Sequence, residues 1–392
     1  MNNTKRAVIG IPVLHYGGTE MHTLLLSRVF MSQGYDVTVC CYHEFTDAVV
    51  EQFTALGVQV RLLKISRSLH GMSFSDLKNV YTSFSQQLIR IQPQIIHIQY
   101  VAPGFVPILA AARMSPAILT AAVHTSGEYL YGRKAKFMVN AAARFCDAFV
   151  CVSNDVQTFW FGTHAGHTIR MIYNAVDTLE LGNSVIGMEK EKIKKQYSIG
   201  HSPVFAIVGR AGRHKGHDLL FRAFARLTEQ FPEAGIAVIG EPVEKEFLVN
   251  LASELQIASK ISWIGPLSRT AVAQVLASSD CLMIPSRYEG FGLAAIEAMA
   301  LGVPVIGSAV GGLREIIEHE KTGLLVQPED PTGLCNAMVR MMSDTNLREH
   351  CINGGKNAMA EKFSFERFND AWVNVLANAT GKSKSPEGVR IS

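Results

Sequence analysis

The strongest constraint on this chain is a rhythm that runs twice along it: short apolar runs separated by longer segments with helical spacing. In the first half the runs are Ala7–Pro12, Asp36–Tyr42, Val58–Leu63, Ile95–Gln99, Ala117–Val123, Asp147–Ser153 and Ile169–Tyr173. The second half repeats the pattern with Pro203–Gly209, Ile236–Gly240, Ile261–Gly265, Asp280–Pro285, Val303–Gly307 and Leu324–Gln327. Runs this short and this rich in Val, Ile and Ala are expected for parallel strands covered on both faces. Two βα series predict two doubly wound α/β domains facing each other across a cleft, with ligands bound at the C-terminal strand ends. The spacing places the first domain at residues 1–180 and a connection at 181–202, where Gly, Ser and a Glu/Lys cluster replace the apolar runs. A helix is expected within that connection at Glu189–Tyr197, and others at His217–Gln230 and Val272–Ala277. The second domain takes 203–362, a last helix 363–380, and a polar tail 381–392.

Composition narrows the function. Of 392 residues, 48% are hydrophobic and 18% charged, enough to build large cores and unlike a disordered chain. Lys+Arg 37 against Asp+Glu 34 leaves a net charge of +3, too little to imply nucleic acid. The seven cysteines form no C-x-x-C pair, so a disulfide scaffold and a zinc ribbon are both disfavoured; they read as small buried hydrophobes in a reducing, cytoplasmic setting. The apolar stretches Val101–Val123 and Gly290–Leu313 are interrupted by charges, prolines or glycines, so neither is expected to span a membrane. The run Ala7–Leu14 reads as a first strand rather than a secretion signal.

The most informative segment is Pro285–Glu297, PSRYEGFGLAAIE. A strand ends at Pro285, a loop carries Gly290 and Gly292, and a helix follows from about Leu293. Glycines that admit a close ligand, followed by the unpaired N–H groups of a helix start, form an anion site. Glu289 precedes the helix and Glu297 lies inside it, eight residues or roughly 12 Å further along. Two carboxylates at that separation suit the two ends of a nucleotide-activated sugar. A solvated loop Glu289 and a surface Glu297 are the plainer alternative, but Ala294, Ala295, Ile296, Ala298 and Met299 leave Glu297 on a largely apolar helix, where a charge needs a partner.

A second loop, Gly209–Gly216 (GRAGRHKG), follows the strand Val204–Val208. Arg210 and Lys215 suit pyrophosphate oxygens, by a planar fork and a point charge respectively. It is neither a Walker loop nor G-x-G-x-x-G. Taken in isolation it reads as a solvated basic loop, and Arg213 either joins the phosphate site or faces solvent, the second being favoured. His97 inside an apolar run reads as a core imidazole, whereas His124 at a strand end reads as functional. The Gly311-Gly312 pair, beside a helix start, is expected to give the ligand backbone contacts. Tyr129–Phe145 mixes basic and aromatic residues and has two readings, a face laid on an anionic membrane or an ordinary charged helix face; the second is favoured.

Together these pieces resemble retaining glycosyltransferase family 4, of the GT-B fold. The matching residues are Gly17-Gly18-Thr-Glu20, Ile96-His97-Ile98, His124, Val152-Ser-Asn154, Asn174-Ala-Val-Asp177, Gly209-Arg210 with Lys215-Gly216, Glu289 to Glu297, Gly311-Gly312-Leu-Arg-Glu315 and Lys321-Thr-Gly-Leu-Leu325. The resemblance implies two Rossmann-like domains, the first for acceptor and the second for a UDP- or GDP-sugar donor. It implies that Arg210 and Lys215 hold the diphosphate, that Glu297 binds ribose hydroxyls, and that Glu289 faces the sugar. Gly209, Gly290 and backbone N–H groups at Phe291, Gly292 and Leu293 would complete the donor site. His124 would approach the sugar, while Gly17 and Gly18 would admit donor phosphate or acceptor. The product would carry an α-glycosidic bond, made without a metal or other cofactor in cell-envelope polysaccharide, lipopolysaccharide or glycolipid synthesis. No Asp-x-Asp pair or His/Cys cluster stands in the sequence for a metal.

The partners expected are therefore a sugar nucleotide and a saccharide or lipid-linked acceptor, with no nucleic acid. The enzyme would be a cytoplasmic monomer or homodimer, with peripheral contact at the inner face of the membrane as an open question. Acceptor choice is expected in loops near residues 66–75, 100–106 and 125–135. Two rivals stand beside this reading: a sugar-nucleotide 2-epimerase of the same architecture, and a non-catalytic sugar-nucleotide-binding protein.

Overall fold

The structure, a computed structural model, describes residues 5–66, 73–100, 105–114, 117–125, 133–163 and 166–380. The acceptor loops expected near 66–75, 100–106 and 125–135 fall largely outside these residues, as does the tail 381–392. The chain divides into two compact units, one comprising residues 1–173 with 368–392 and the other 174–367.

The first unit runs β1 (Lys5–Ile11), α1 (Gly18–Ser32), β2 (Tyr35–Cys41), α2 (Asp47–Ala55), β3 (Gln59–Leu62), α3 (Phe74–Ile91), β4 (Ile95–Tyr100), α4 (Val106–Ala112), β5 (Ile118–Val123), α5 (Arg133–Ala143), β6 (Ala148–Cys151), α6 (Asn154–Phe161) and β7 (Ile169–Met171). Its seven strands form one parallel sheet in the order β3-β2-β1-β4-β5-β6-β7. Ala7 sits between Val37 and Ile95 in register, and the central strands are buried on both faces, as their near-continuous apolar sequences require.

The second unit opens with α7 (Thr178–Asn183) and α8 (Lys190–Gln196). It continues with β8 (Val204–Val208), α9 (His217–Leu227), β9 (Gly235–Ile239), α10 (Lys245–Glu254), β10 (Ile261–Gly265), α11 (Arg269–Ala277), β11 (Cys281–Ile284), α12 (Leu293–Leu301), β12 (Val305–Ser308), α13 (Leu313–Ile316), β13 (Leu324–Val326), α14 (Pro331–Ser343) and α15 (Thr345–Lys362). Its six strands are parallel, in the order β10-β9-β8-β11-β12-β13. Phe205, Phe221, Phe224, Leu248 and Met338 centre its core. The last helix, α16 (Phe365–Thr380), begins in this unit and belongs to the first from Phe368 onward.

The segment 181–202, expected as a connection, is instead part of the second unit, which starts at Asn174. Leu181 and Ile193 are the buried apolar anchors of α7 and α8, whose other residues stay largely exposed. Asp177 caps α7 through its carboxylate, and Gln274 of α11 donates to the Ser184 carbonyl at 3.1 Å. Their sparse apolar content hid this packing from the sequence pattern. The helix expected from Val272 starts three residues earlier, because Ser268 caps it through the Ala271 N–H.

All seven cysteines are free and buried. Among the described residues no helix is long and apolar enough to cross a membrane.

Candidate functional site

In each sheet the winding direction reverses next to the strand that comes first in sequence, between β1 and β4 and between β8 and β11. Ligands of open α/β sheets sit at the C-terminal ends of strands flanking such a point. In the second unit, those ends carry the two loops picked out by sequence, Gly209–Gly216 after β8 and Pro285–Gly292 after β11.

The two loops lock together. Gly216 has φ +73°, and a Cβ there would meet the Pro285 carbonyl oxygen at 1.9 Å, so only glycine lets them approach. Arg287 reaches the other way. Its guanidinium takes Asp218 bidentately, at 2.7 and 2.9 Å, and Glu329 at 3.0 Å, and also donates to the Arg213 carbonyl. Its own N–H donates to the His214 carbonyl at 3.2 Å. These acceptors hold its pKa above the ordinary arginine value, with Asp218 as the main cause.

Across this joint Lys215 Nζ lies 2.7 Å from Glu289 Oε2, with the two side chains 27% and 16% exposed. Ser286 Oγ also reaches Glu289, at 3.4 Å, and the Gly312 N–H donates to the Glu289 carbonyl at 3.0 Å. Gly292 then opens α12 at φ +113°, where a Cβ would meet Leu313 Cδ2 at 2.7 Å. Leu293 is the first helical residue, Gly290 and Phe291 are buried behind it, and Phe291 packs on Phe363 with ring centroids 5.7 Å apart. The N–H groups of a first helical turn lack intrahelical acceptors and carry the positive end of the helix dipole. Gly209, at the end of β8, donates its N–H to the Ile239 carbonyl at 2.9 Å. Arg210 beside it is exposed and has no ion pair among the described residues. The second unit thus brings together Arg210, Lys215, Glu289 and the start of α12.

Glu297 lies about one turn into α12, with its side chain 14% exposed, and Arg269 Nε stands 3.8 Å away. Burial raises its pKa above the ordinary carboxylate value; Arg269 opposes the rise and Glu180 adds to it.

Arg213 is 60% exposed and faces solvent as expected; Glu244 accepts from its Nε at 3.0 Å and from its backbone N–H at 2.5 Å, and its guanidinium lies over Phe247. A Cβ at Gly312 would meet the Gly290 carbonyl oxygen at 2.6 Å, so glycine lets the two loops approach closely there. A Cβ at Gly17 would lie 2.6 Å from Glu20 Oε2, and Gly18 begins α1.

In the first unit, His124 belongs to a buried network that sequence reasoning missed. Its Nε2 lies 2.8 Å from Gln99 Oε1, while the Gln99 amide nitrogen lies 2.8 Å from His22 Nδ1. His97 Nδ1 bonds Thr120 Oγ1 at 2.8 Å, and Phe368 and Trp372 of α16 pack against the rings. Burial lowers the His124 pKa to about 4 and, helped by the neighbouring imidazole, that of His97 to about 3. His124 Nδ1 is buried without a partner. His97 is the core imidazole expected of it. Gln99 and His22 gave no sequence signal, since their contact joins positions 77 apart on different elements. On α5, Lys136 lies over the Phe159 ring and Phe137 is 77% exposed; the basic-aromatic segment before it begins outside the described residues. Among the described residues no group of three or more His, Cys, Asp or Glu side chains is arranged to hold a metal ion.

A parallel sheet whose strand-end loops carry cations and a helix start, paired with a second sheet of the same kind, defines a two-domain Rossmann-like protein. Two family models match, Glycosyltransferase Family 4 over residues 16–179 and Glycosyl transferases group 1 over residues 189–358. The chain belongs to glycosyltransferase family 4 and has the GT-B architecture. It is 33% identical to an uncharacterized glycosyltransferase of Methanocaldococcus jannaschii, over 53% of each chain. It is 26% identical to the D-inositol 3-phosphate glycosyltransferase of Jonesia denitrificans, over 89% of this chain and 88% of that one. The chain spans about half the length of the first two curated relatives, 53% and 55%. Among solved structures, Anabaena HepE in complex with UDP and glucose superposes with a TM-score of 0.81 at 18% identity, covering 95% of this chain and 99% of that one. The sucrose-phosphate synthase of Thermosynechococcus elongatus gives 0.78 at 19%, covering 97% and 100%.

Proposed function

We propose that this chain moves a hexosyl group from a nucleoside diphosphate sugar to an acceptor hydroxyl, with retention at the anomeric carbon. The observation that carries the reading is the Lys215–Glu289 pair, 2.7 Å apart at the head of α12 on the switch-point side of the second sheet. A cation, a carboxylate and a helix start gathered within one joint suit a molecule that is anionic at one end and a polyol at the other. The neighbours support the donor class: HepE structures are described in complex with UDP and with UDP-glucose.

In this reading the diphosphate competes with Glu289 for Lys215. Lys215, Arg210 and the N–H groups at the start of α12 then meet the charge that grows on the leaving group as the sugar takes on oxocarbenium character. The displaced Glu289 carboxylate accepts from sugar hydroxyls, and Glu297 from the ribose. Gly209, Gly290, Phe291, Gly292 and Leu293 shape the loop and helix start around the donor. The acceptor is assigned to the first unit, with Gly17, Gly18 and His124 as candidate contacts. A phosphate oxygen of the donor takes the acceptor proton on the same face. Because the side-chain cations supply the charge, no metal is required, and a chelator is expected to leave the rate unchanged.

The test is product analysis by NMR after incubation with UDP- and GDP-sugars and saccharide or lipid-linked acceptors. The proposal expects an α-linked product and free nucleoside diphosphate. A C2-inverted sugar nucleotide formed without acceptor would instead identify an epimerase, and tight nucleotide binding with neither transfer nor donor hydrolysis a binding protein.

A further inference from the structure

Arg269 stands where a cation is unwelcome on helical grounds: it is the first residue of α11, directly after the Ser268 cap, at the positive end of the helix dipole. Its side chain is only 14% exposed, so its charge needs partners. Two carboxylates provide them. Arg269 Nη1 donates to Glu180 Oε1 of α7 at 3.1 Å, and Nε lies 3.8 Å from Glu297 Oε1 of α12. The first contact is a hydrogen bond; the second is too long to be one. Glu297 therefore feels the guanidinium charge without donating its lone pairs to it, and it accepts no other hydrogen bond among the described residues.

We propose that Arg269 is a positioning residue for the nucleotide: tethered by Glu180, it sets the charge and aim of Glu297 while leaving both carboxylate oxygens to a vicinal diol. This rests on the reading above, in which Glu297 receives the ribose. A carboxylate with two oxygens free is matched to two adjacent hydroxyl donors. A planar, forked guanidinium can turn one nitrogen toward each of two carboxylates from different helices in a fixed geometry. The charges acting on Glu297 are Arg269 from α11 and Glu180 from α7. Of the cations on its other neighbours, Arg314 of α13 donates to the Ala309 carbonyl, Arg348 of α15 donates to the Met341 and Met342 carbonyls, and Lys356 of α15 lies beside Gly302 at the C-terminal end of α12.

The experiment is calorimetric titration of the full chain with UDP and GDP, and with the 2′-deoxy form of whichever binds, at pH 6 and pH 8. In the wild type the ribonucleotide is expected to bind more tightly than its 2′-deoxy form, on the order of 10- to 100-fold, at both pH values. In Arg269→Met the preference is largely lost at both pH values, because Glu297 loses the cation that offsets its burial. Affinity for the 2′-deoxy form stays at the wild-type value, a readout that general damage to the fold would not leave intact. The inference is overturned if Arg269→Met keeps the wild-type preference at both pH values, or loses both nucleotides equally. A wild type that binds nucleoside diphosphate with no ribose preference overturns the role of Glu297 and this inference with it, but not the donor class. A wild type that binds neither UDP nor GDP overturns the donor reading itself.

Discussion

Lys215 and Glu289 form a partly buried pair whose members are needed for different ends of the donor, so removing either has a separable signature. Lys215→Ala is expected to lower kcat on the order of 10²- to 10³-fold, as loss of one preorganised charge does. Glu289→Ala is expected to lower turnover comparably without weakening affinity for the free nucleoside diphosphate, because the sugar is its ligand and the diphosphate no longer competes with it for Lys215; initial rates and calorimetry on the two variants check this. The buried imidazoles of the first unit make a different prediction. His97 and His124 have folded pKa values of about 3 and about 4, below the ordinary histidine value, so the unfolded chain binds protons that the folded chain does not. Their contribution is complete above about pH 6.5 and is lost as the pH falls toward those folded values. The wild type should therefore lose about 2 kcal/mol more than His97→Asn between pH 6.5 and 4.5. Urea denaturation at the two pH values measures it, and equal losses would contradict it.

The helix start at Gly292 is the element on which the site turns. Its φ of +113° and the Leu313 methyl beside it both resist a side chain. Gly292→Ala is expected to cost about 1–3 kcal/mol and to weaken nucleotide binding, through displacement of the first turn of α12. A lower midpoint in thermal denaturation with a raised Kd would show it. This element was readable from sequence because a Gly-containing loop between a strand and a run of helix formers is a local pattern. Arg269 was not: it lies at a helix start that the apolar spacing placed three residues late, and its partners Glu180 and Glu297 lie on other helices. Arg287 stood in the quoted segment without being singled out, since its partner Asp218 is 69 positions away. Contacts of that kind are properties of the folded sheet.

For the molecule as a whole, the two βα series were legible because parallel strands buried on both faces must be apolar throughout, and each of the thirteen runs named from the sequence became a strand. The start of the second unit was misplaced because α7 and α8 are anchored by so few apolar residues. Chelation offers a test at this scale: EDTA should leave transfer unchanged, and its abolition with recovery on adding Mg²⁺ or Mn²⁺ would contradict charge neutralisation by side chains alone. The most direct test of the central claim is the rate of nucleoside diphosphate release from a panel of UDP- and GDP-sugars, measured for the wild type and Lys215→Ala side by side. The account predicts saturable release for at least one donor, reduced at least a hundredfold in the variant, on the order expected for one lost preorganised charge, with its thermal midpoint within a few degrees of the wild type. Release from no donor, or near-normal release by a folded Lys215→Ala, would contradict it.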